Sequence, residues 1–116
     1  MSMQDQVDRL TTKYVTAFQQ GDAKACSDCY TDDALYLACG MAAVKGRQAI
    51  KALHEEIFAS DFELIGLITT KVESDGNLAY ALQDLQAKQG NTSVMLVLRR
   101  DGTGRWKICA EAEVAA

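Results

Sequence analysis

The sequence predicts a domain of the α+β class, in which helices cover one face of a bent antiparallel sheet. Two observations carry this prediction: apolar residues at helical spacing near the start of the chain, and strand-like segments separated by turn residues towards its end. The chain has 116 residues, of which 48% are hydrophobic and 24% are charged. Residues 1–116 are therefore predicted to fold as one domain with its own core.

Helical spacing marks the first segment of the chain. Over residues 3–20 the apolar side chains recur every three or four positions, which places them on one face of a helix. They are Val7, Leu10, Tyr14, Ala17 and Phe18. Gly21 predicts the end of this helix, because glycine readily adopts the left-handed conformation that often follows a helix.

Two more helices are predicted before the second half of the chain. Asp22 can cap a short helix, and the pair Asp32 and Asp33 is expected to end it. The apolar side of this helix would consist of Cys26, Cys29 and Tyr30. After Gly46, a third amphipathic helix is predicted over residues 47 to about 60.

Strand-like segments make up the rest of the chain. One is predicted at residues 34–39, and four more are predicted at residues 62–74, 78–88, 92–100 and 105–114. Asp75-Gly76, Gly90-Asn91 and Asp101-Gly102 separate the last four, and such pairs are typical of hairpin turns. These four strands are therefore predicted to form an antiparallel meander.

Several short segments resemble a known family in their order and spacing. They are Lys13-Tyr14-Val15, Ala17-Phe18, Gly21-Asp22, Tyr30-Thr31-Asp32-Asp33-Ala34, Lys45-Gly46-Arg47, Ala49-Ile50 and Gly104-Arg105-Trp106-Lys107-Ile108. The chain resembles the SnoaL-like branch of the nuclear transport factor 2-like superfamily, to which ketosteroid isomerases and polyketide cyclases are related. This resemblance implies a cystatin-like fold, in which a curved antiparallel sheet wraps around the N-terminal helices and encloses a cone-shaped pocket.

Similarity to the ketosteroid isomerases implies one retained catalytic group and two missing ones. Tyr14 matches the isomerase tyrosine that donates a hydrogen bond to the substrate oxygen. The general base of the isomerase falls on or near Ala38, and its second oxyanion donor falls near Leu96. Because neither side chain can carry a proton, isomerisation by that mechanism is not expected.

By the same resemblance, Tyr14, Tyr30 and His54 are expected to form one hydrogen-bonded group. A buried hydroxyl becomes a stronger donor when other groups donate to it, and an imidazole can exchange a proton near neutral pH. The alternative is that both tyrosines are core residues and that His54 lies on the surface of the third helix.

The last predicted strand carries the candidate acid or base. Strict alternation places Cys109, Glu111 and Glu113 on one face, and the resemblance implies that this face lines the pocket. Glu111 is best placed to act as a general acid or base, since burial would raise its pKa towards neutral. In the alternative, Glu111 and Glu113 occupy a solvent-facing strand edge or a dimer contact.

The remaining pocket residues are expected to be mainly apolar. Those predicted to line the pocket are Phe18, Tyr30, Tyr36, Leu37, Ala38, Leu53, Phe58, Met95, Leu96, Trp106 and Cys109, with Glu113. Such a lining suits a small hydrophobic ligand with one or two polar groups. Large side chains could equally well fill the space.

Composition and cysteine spacing exclude several other functions. The net charge of −4 disfavours nucleic acid as a partner. No apolar run is long enough to span a membrane and the N-terminus is polar, so a cytoplasmic protein is expected. Cys26 and Cys29 form a C-x-x-C pair, but we expect them to pack in the core, with no metal and no cofactor bound.

Two functions follow from these patterns. One is a cofactor-independent enzyme of isomerase, cyclase or dehydratase type, with Tyr14 and Glu111 acting on a carbonyl compound. The other is a non-catalytic module that binds a ligand and forms a homodimer through its sheet. The second rests on Met95 and Val97, which alternate with Val94, Leu96 and Leu98 and so make both faces of one strand apolar.

Overall fold

Three helices and six strands are present in the computed structural model, which describes residues 1–114. In chain order they are α1 (Met3–Gln19), α2 (Ala23–Ser27), β1 (Tyr30–Leu37), β2 (Val44–Lys45), α3 (Arg47–Phe58), β3 (Leu64–Asp75), β4 (Leu78–Ala87), β5 (Gly90–Arg100) and β6 (Trp106–Val114). The predicted α+β class is confirmed. The short strand β2 was not predicted, because two residues are too few to show a pattern.

Helix α1 begins with a reciprocal cap. The Ser2 hydroxyl accepts a hydrogen bond from the amide of Asp5, and the Asp5 carboxylate accepts one from the amide of Ser2. These bonds satisfy amides that a helix N-terminus leaves without partners. The apolar face of α1 then buries Val7, Ala17 and Phe18 against the rest of the domain.

All six strands form one sheet in the order β2-β1-β6-β5-β4-β3. The strands from β3 to β6 form the predicted antiparallel meander, whereas β1 pairs with β6 in parallel. The last strand therefore lies in the interior of the sheet, between β1 and β5. One hydrophobic core joins Val7 of α1 and Leu53 of α3 to Leu96 and Leu98 of β5. The helices thus cover the inner face of the sheet.

Strand β1 begins earlier than the sequence predicts. Asp32 and Asp33 lie inside β1, so the prediction that they end α2 is wrong. Tyr30 is the first residue of β1 rather than part of a helix. The carbonyl of Cys29 accepts a hydrogen bond of 2.8 Å from the amide of Ile108, and this pairing with β6 keeps the chain extended.

Strand β6 contains a bulge that changes which of its residues face inwards. Leu98 pairs with Ile108, but its neighbour Val97 pairs with Ala110, so Cys109 is an extra residue in β6. A bulge of this kind breaks the alternation of side chains. As a result Ile108 and Glu111 are both buried, although three positions separate them.

Gly46 joins β2 to α3 in a conformation that other residues rarely adopt. Its φ angle is 91° and its ψ angle is 151°. Its amide donates a hydrogen bond of 2.8 Å to the carbonyl of Ala34, which ties the start of α3 to β1.

Replacing Gly46 by alanine is expected to lower the free energy of unfolding by about 1–3 kcal/mol, because the Cβ atom is disfavoured at this φ angle. Gly66→Ala is the matched control, since the φ angle of Gly66 is not in this region and its Cβ position is open. Urea denaturation of both variants measures the difference. Equal effects at the two positions would contradict the argument from backbone strain.

Candidate active site

A cavity of about 460 Å³ lies between the helices and the inner face of the sheet. Two of the three predicted catalytic residues line it, Tyr14 and Glu111. Seven of the nine further predicted site residues line it as well: Phe18, Tyr30, Tyr36, Ala38, Leu53, Leu96 and Glu113. Most of the other wall residues are apolar, so the cavity is mainly apolar with a few polar groups.

The carboxyl group of Glu111 lies in the mainly apolar wall of the cavity. Glu111 lies on β6 between Tyr36 of β1 and Leu96 of β5, and only 8% of its surface is exposed. The Tyr30 hydroxyl donates a hydrogen bond of 2.6 Å to Glu111 Oε1. A buried carboxyl group needs such a partner, because an unpaired polar group in the interior is costly.

Burial raises the pKa of Glu111 to about 8. The negative charge of Glu113 raises it as well, while hydrogen bonds from Tyr30 and Tyr36 act in the opposite direction. Desolvation is the largest cause, since it penalises the charged form. At neutral pH Glu111 is therefore mostly protonated and can donate a hydrogen bond or a proton.

Tyr36 and Glu113 form a second pair on the same wall. The Tyr36 hydroxyl donates a hydrogen bond to Glu113 Oε1. Burial raises the pKa values of both Tyr30 and Tyr36, with further contributions from Glu111. Both hydroxyls therefore keep their protons and act as donors to the two glutamates.

His54 is fully buried, so the alternative that it lies on the surface is wrong. Its Nδ1 atom is 2.8 Å from the carbonyl oxygen of Ile50, which can only accept a hydrogen bond, so Nδ1 carries a proton. Burial lowers the pKa of His54 and favours the neutral ring. The Nε2 atom is then an acceptor, and it lies 2.7 Å from the Tyr14 hydroxyl.

This arrangement changes the role expected of Tyr14. Its hydroxyl proton is used in the bond to His54, so its oxygen faces the cavity as an acceptor. The Tyr30 hydroxyl donates its one proton to Glu111, so it has no proton left to donate to Tyr14 or His54. In this geometry Glu111 is better placed than Tyr14 to donate to a ligand carbonyl.

Besides the catalytic candidate His54, two predicted site residues do not line the cavity. Cys109 is the extra residue of the β6 bulge, so it leaves the inward face on which strict alternation had placed it. Trp106 is at the start of β6, opposite Arg100, whose guanidinium lies 5.6 Å from the indole ring centre. The prediction for Cys109 fails because the bulge of β6 was not visible in the sequence.

Three further apolar residues of the predicted lining are also absent from the cavity wall. Leu37 and Met95 are more than two-fifths exposed, because their neighbours Tyr36 and Leu96 take the inward positions on their strands. Phe58 packs against Phe18 instead, with ring centres 4.9 Å apart.

Sequence analysis missed several polar residues of the cavity, among them Thr11 and Asn91, and the most deeply buried of them is Gln83. It lies on β4 and is 2% exposed. The signal was present in the pattern, because Ala79 and Ala81 precede Gln83 at alternate, inward positions. A polar residue in such a series would have pointed to the wall of a site.

Residues 1–114 contain neither a metal-binding cluster nor a membrane-spanning helix. In that part of the chain no three His, Cys, Asp or Glu side chains are grouped closely enough to hold a metal ion. Its helices are too short or too polar for any of them to cross a membrane. Cys26 and Cys29 are both buried, as predicted for core residues.

The fold agrees with the comparisons to known proteins. The SnoaL-like domain family matches residues 7–111, and the chain belongs to this family. The search of the curated proteins finds no match.

Solved structures share the fold at low sequence identity. A domain of unknown function with a cystatin-like fold from Nostoc punctiforme has a TM-score of 0.85 at 15% identity, over 100% of this chain and 80% of that one. An NTF2-like protein of unknown function from Pseudomonas putida has a TM-score of 0.80 at 23% identity, over 100% and 89%. A ketosteroid isomerase-like protein from Erwinia carotovora has a TM-score of 0.77 at 17% identity, over 97% and 96%. These likenesses confirm the cystatin-like, nuclear transport factor 2-like fold.

Glu111 is expected to make stability depend on pH. Its pKa is about 8 in the folded chain against an ordinary value of 4.5, so between these values the unfolded chain releases a proton that the folded chain keeps. Rising pH therefore favours unfolding, by at most about 1.4 kcal/mol per pH unit.

Glu111→Gln removes this dependence while keeping an acceptor for Tyr30. Urea denaturation across this pH range should show wild-type stability falling relative to the variant up to about pH 8 and levelling off above it. Glu55→Gln, at an exposed position of α3, controls for the loss of a carboxyl group in general. A constant difference between wild type and Glu111→Gln would argue against a buried, protonated Glu111.

Proposed function

We propose that this SnoaL-like protein binds a small, mainly apolar carbonyl compound in the cavity and catalyses proton transfer on it. The observation that carries the proposal is the buried Glu111 carboxyl group, held by Tyr30 on the wall of an apolar cavity of about 460 Å³. A volume of this size is in the range of small-molecule sites. The chemistry needs no cofactor.

Glu111 acts as the acid in this proposal. Its protonated carboxyl group donates a hydrogen bond to the ligand carbonyl and transfers the proton as negative charge develops on that oxygen. Glu113 is a second carboxyl group on the same strand and cavity wall, and it takes a proton from the carbon next to the carbonyl. The product is an enol. Where a carbon–carbon double bond adjoins that carbon it is a dienol, Glu113 returns its proton to the far end of the double bond and Glu111 takes back the hydroxyl proton, so an isomerisation is completed without any change of oxidation state.

The arrangement differs from that of the ketosteroid isomerases. Ala38 and Leu96 line the cavity at the positions where the resemblance places the two isomerase carboxyl groups. Glu111 and Glu113 bring two carboxyl groups into the cavity from β6 instead. The proposed reaction class is therefore isomerase, cyclase or dehydratase chemistry that passes through an enol, with the acid and the base on one strand.

Exchange of hydrogen for deuterium next to a carbonyl tests the proposal. The probe is 1-tetralone, a bicyclic aromatic ketone, incubated in heavy water and followed by proton NMR. Wild-type protein should accelerate exchange at the carbon next to the carbonyl, and Glu111→Gln should lose about 100-fold or more of that rate. After subtraction of the solvent reaction, the rate should fall as pH rises through about 8, because Glu111 then loses its proton.

Glu55→Gln is the control and should exchange at the wild-type rate. A wild-type rate in Glu111→Gln would rule out Glu111 as the acid. If 1-tetralone binds and wild-type protein does not accelerate exchange, the cavity binds ligand without catalysis.

A second candidate function is a homodimeric binding or association module. The outer face of the sheet carries an apolar strip formed by Leu78, Leu82, Met95 and Val97, and about half of the surface of Leu78 and Met95 is exposed. Ile68 on β3 faces outwards beside this strip and is 50% exposed. Exposed apolar surfaces of this kind are typical of protein interfaces, and a second copy of the chain would cover it.

Light scattering at micromolar concentration tests this candidate. Wild-type protein should have the mass of two chains, and Met95→Asp should shift it towards one chain, because a charge would be buried in the interface. Ala49→Asp places the same charge on the exposed face of α3 and should leave the dimer intact. A wild-type monomer at this concentration would rule out dimerisation through the sheet.

We also propose that the protein works in a reducing compartment such as the cytoplasm. All four cysteines, Cys26, Cys29, Cys39 and Cys109, are free thiols, and free thiols are typical of such compartments.

A further inference from the structure

Gln83 is held on the cavity wall in one orientation. Its Nε2 atom donates hydrogen bonds to Thr11 Oγ1 at 2.8 Å and to Thr69 Oγ1 at 3.1 Å. These bonds come from α1 and from β3, the elements on either side of the side chain. Both amide protons of Gln83 are therefore used, and the side chain has only its carbonyl oxygen left for a further bond.

That oxygen has no donor among residues 1–114. Every side-chain nitrogen or oxygen in this part of the chain that is shut off from solvent has a hydrogen-bond partner. Gln83 Oε1 has none, so it must be reached from open space, and the open space beside Gln83 is the cavity. A residue that is 2% exposed thus presents a free acceptor to the cavity interior. An acceptor in an apolar cavity gains from a bound donor.

Gln83 lies across the sheet from the two glutamates. It pairs with Val94 of β5, and Val94 pairs with Glu113 of β6, so the three residues form one row across the sheet. Two strand spacings separate the backbones of Gln83 and Glu113, which is about 10 Å. The cavity therefore has acidic groups on one side and a fixed neutral acceptor on the other, with apolar wall between them.

We propose that Gln83 Oε1 accepts a hydrogen bond from a hydroxyl or N–H group of the bound molecule, and that Gln83 thereby selects ligands that carry such a group at the end away from the carbonyl. This inference rests on the proposed function, because it takes the carbonyl of the ligand to lie at Glu111. The substrate class becomes a small apolar ketone with a hydroxyl or amine group on its far side. Gln83 is a specificity residue and takes no part in proton transfer.

A matched set of ketones tests the inference. The probes are 1-tetralone, its 6-hydroxy derivative, which can donate a hydrogen bond, and its 6-methoxy derivative, which cannot. Wild-type protein should bind the hydroxy compound about 3- to 10-fold more tightly than either of the others, the range expected for one net hydrogen bond. Isothermal titration calorimetry measures the three dissociation constants.

Gln83→Met keeps the length of the side chain and removes the acceptor. It should bind all three ketones with similar affinity. Gln86→Met, the same substitution on the same strand at a position that does not line the cavity, should keep the wild-type preference. Thr69→Val keeps the Gln83 carbonyl but removes one of the two hydroxyl acceptors that hold the side chain, so it should reduce the preference for the hydroxy compound in part. This variant tests the inference even if Gln83→Met does not fold.

The outcomes separate this inference from the proposed function. If wild-type protein and Gln83→Met show the same preference, or no preference, the role of Gln83 is overturned, while binding of the ketones still supports the cavity function. If the preference depends on Gln83 and no deuterium exchange occurs, the specificity role stands and catalysis fails. If wild-type protein binds none of the three ketones, the inference and the proposed ligand class are both overturned.

A crystal structure with 6-hydroxy-1-tetralone gives an independent test on the unaltered chain. The ligand hydroxyl should lie within hydrogen-bond distance of Gln83 Oε1. A hydroxyl placed at Glu111 or Glu113 instead would overturn the inference.

Discussion

The hydrogen bond between Tyr30 and Glu111 allows an acidic residue to occupy the interior of this domain. Both side chains are buried, and the donor comes from the first strand of the chain while the acceptor comes from the last. Since an unpaired carboxyl group would be costly there, the two strands must be adjacent for the site to exist. The parallel pairing of β1 with β6 therefore serves both the fold and the proposed chemistry.

Three further polar side chains of the cavity have partners that restrict what they can do. Tyr36 donates to Glu113, Tyr14 donates to His54, and the amide nitrogen of Gln83 donates to two threonines. The hydrogen-bonding capacity that these side chains leave for a ligand is consequently small and directional. The proton of Glu111 is available to a ligand carbonyl, and the oxygens of Tyr14 and Gln83 are available to ligand donors. Such fixed groups in an apolar wall select ligands by the positions of their polar atoms.

Much of the fold and part of the site could be predicted from the sequence, because those features depend on local patterns. Periodicity at Val7, Leu10 and Tyr14 defined α1, and glycine-containing pairs such as Asp75-Gly76 divided the meander into strands. Glu111 was identified as a candidate because alternation places it on the face of the last strand that the resemblance implies lines the pocket. The resemblance to SnoaL-like proteins gave the family, which the match over residues 7–111 confirms.

Tertiary structure alone decided which side chains meet in the cavity. The bulge at Cys109 depends on how β6 pairs with β5, and it removes Cys109 from the wall on which alternation had placed it. The hydrogen bonds from Tyr14 to His54 and from Gln83 to Thr11 join residues far apart in the chain, so no local pattern contains them. The sequence by itself determined α1, α3 and the meander, and together with the family resemblance it gave the candidate acid. Long-range pairing determined the register of the strands, and with it the direction of every polar group in the site.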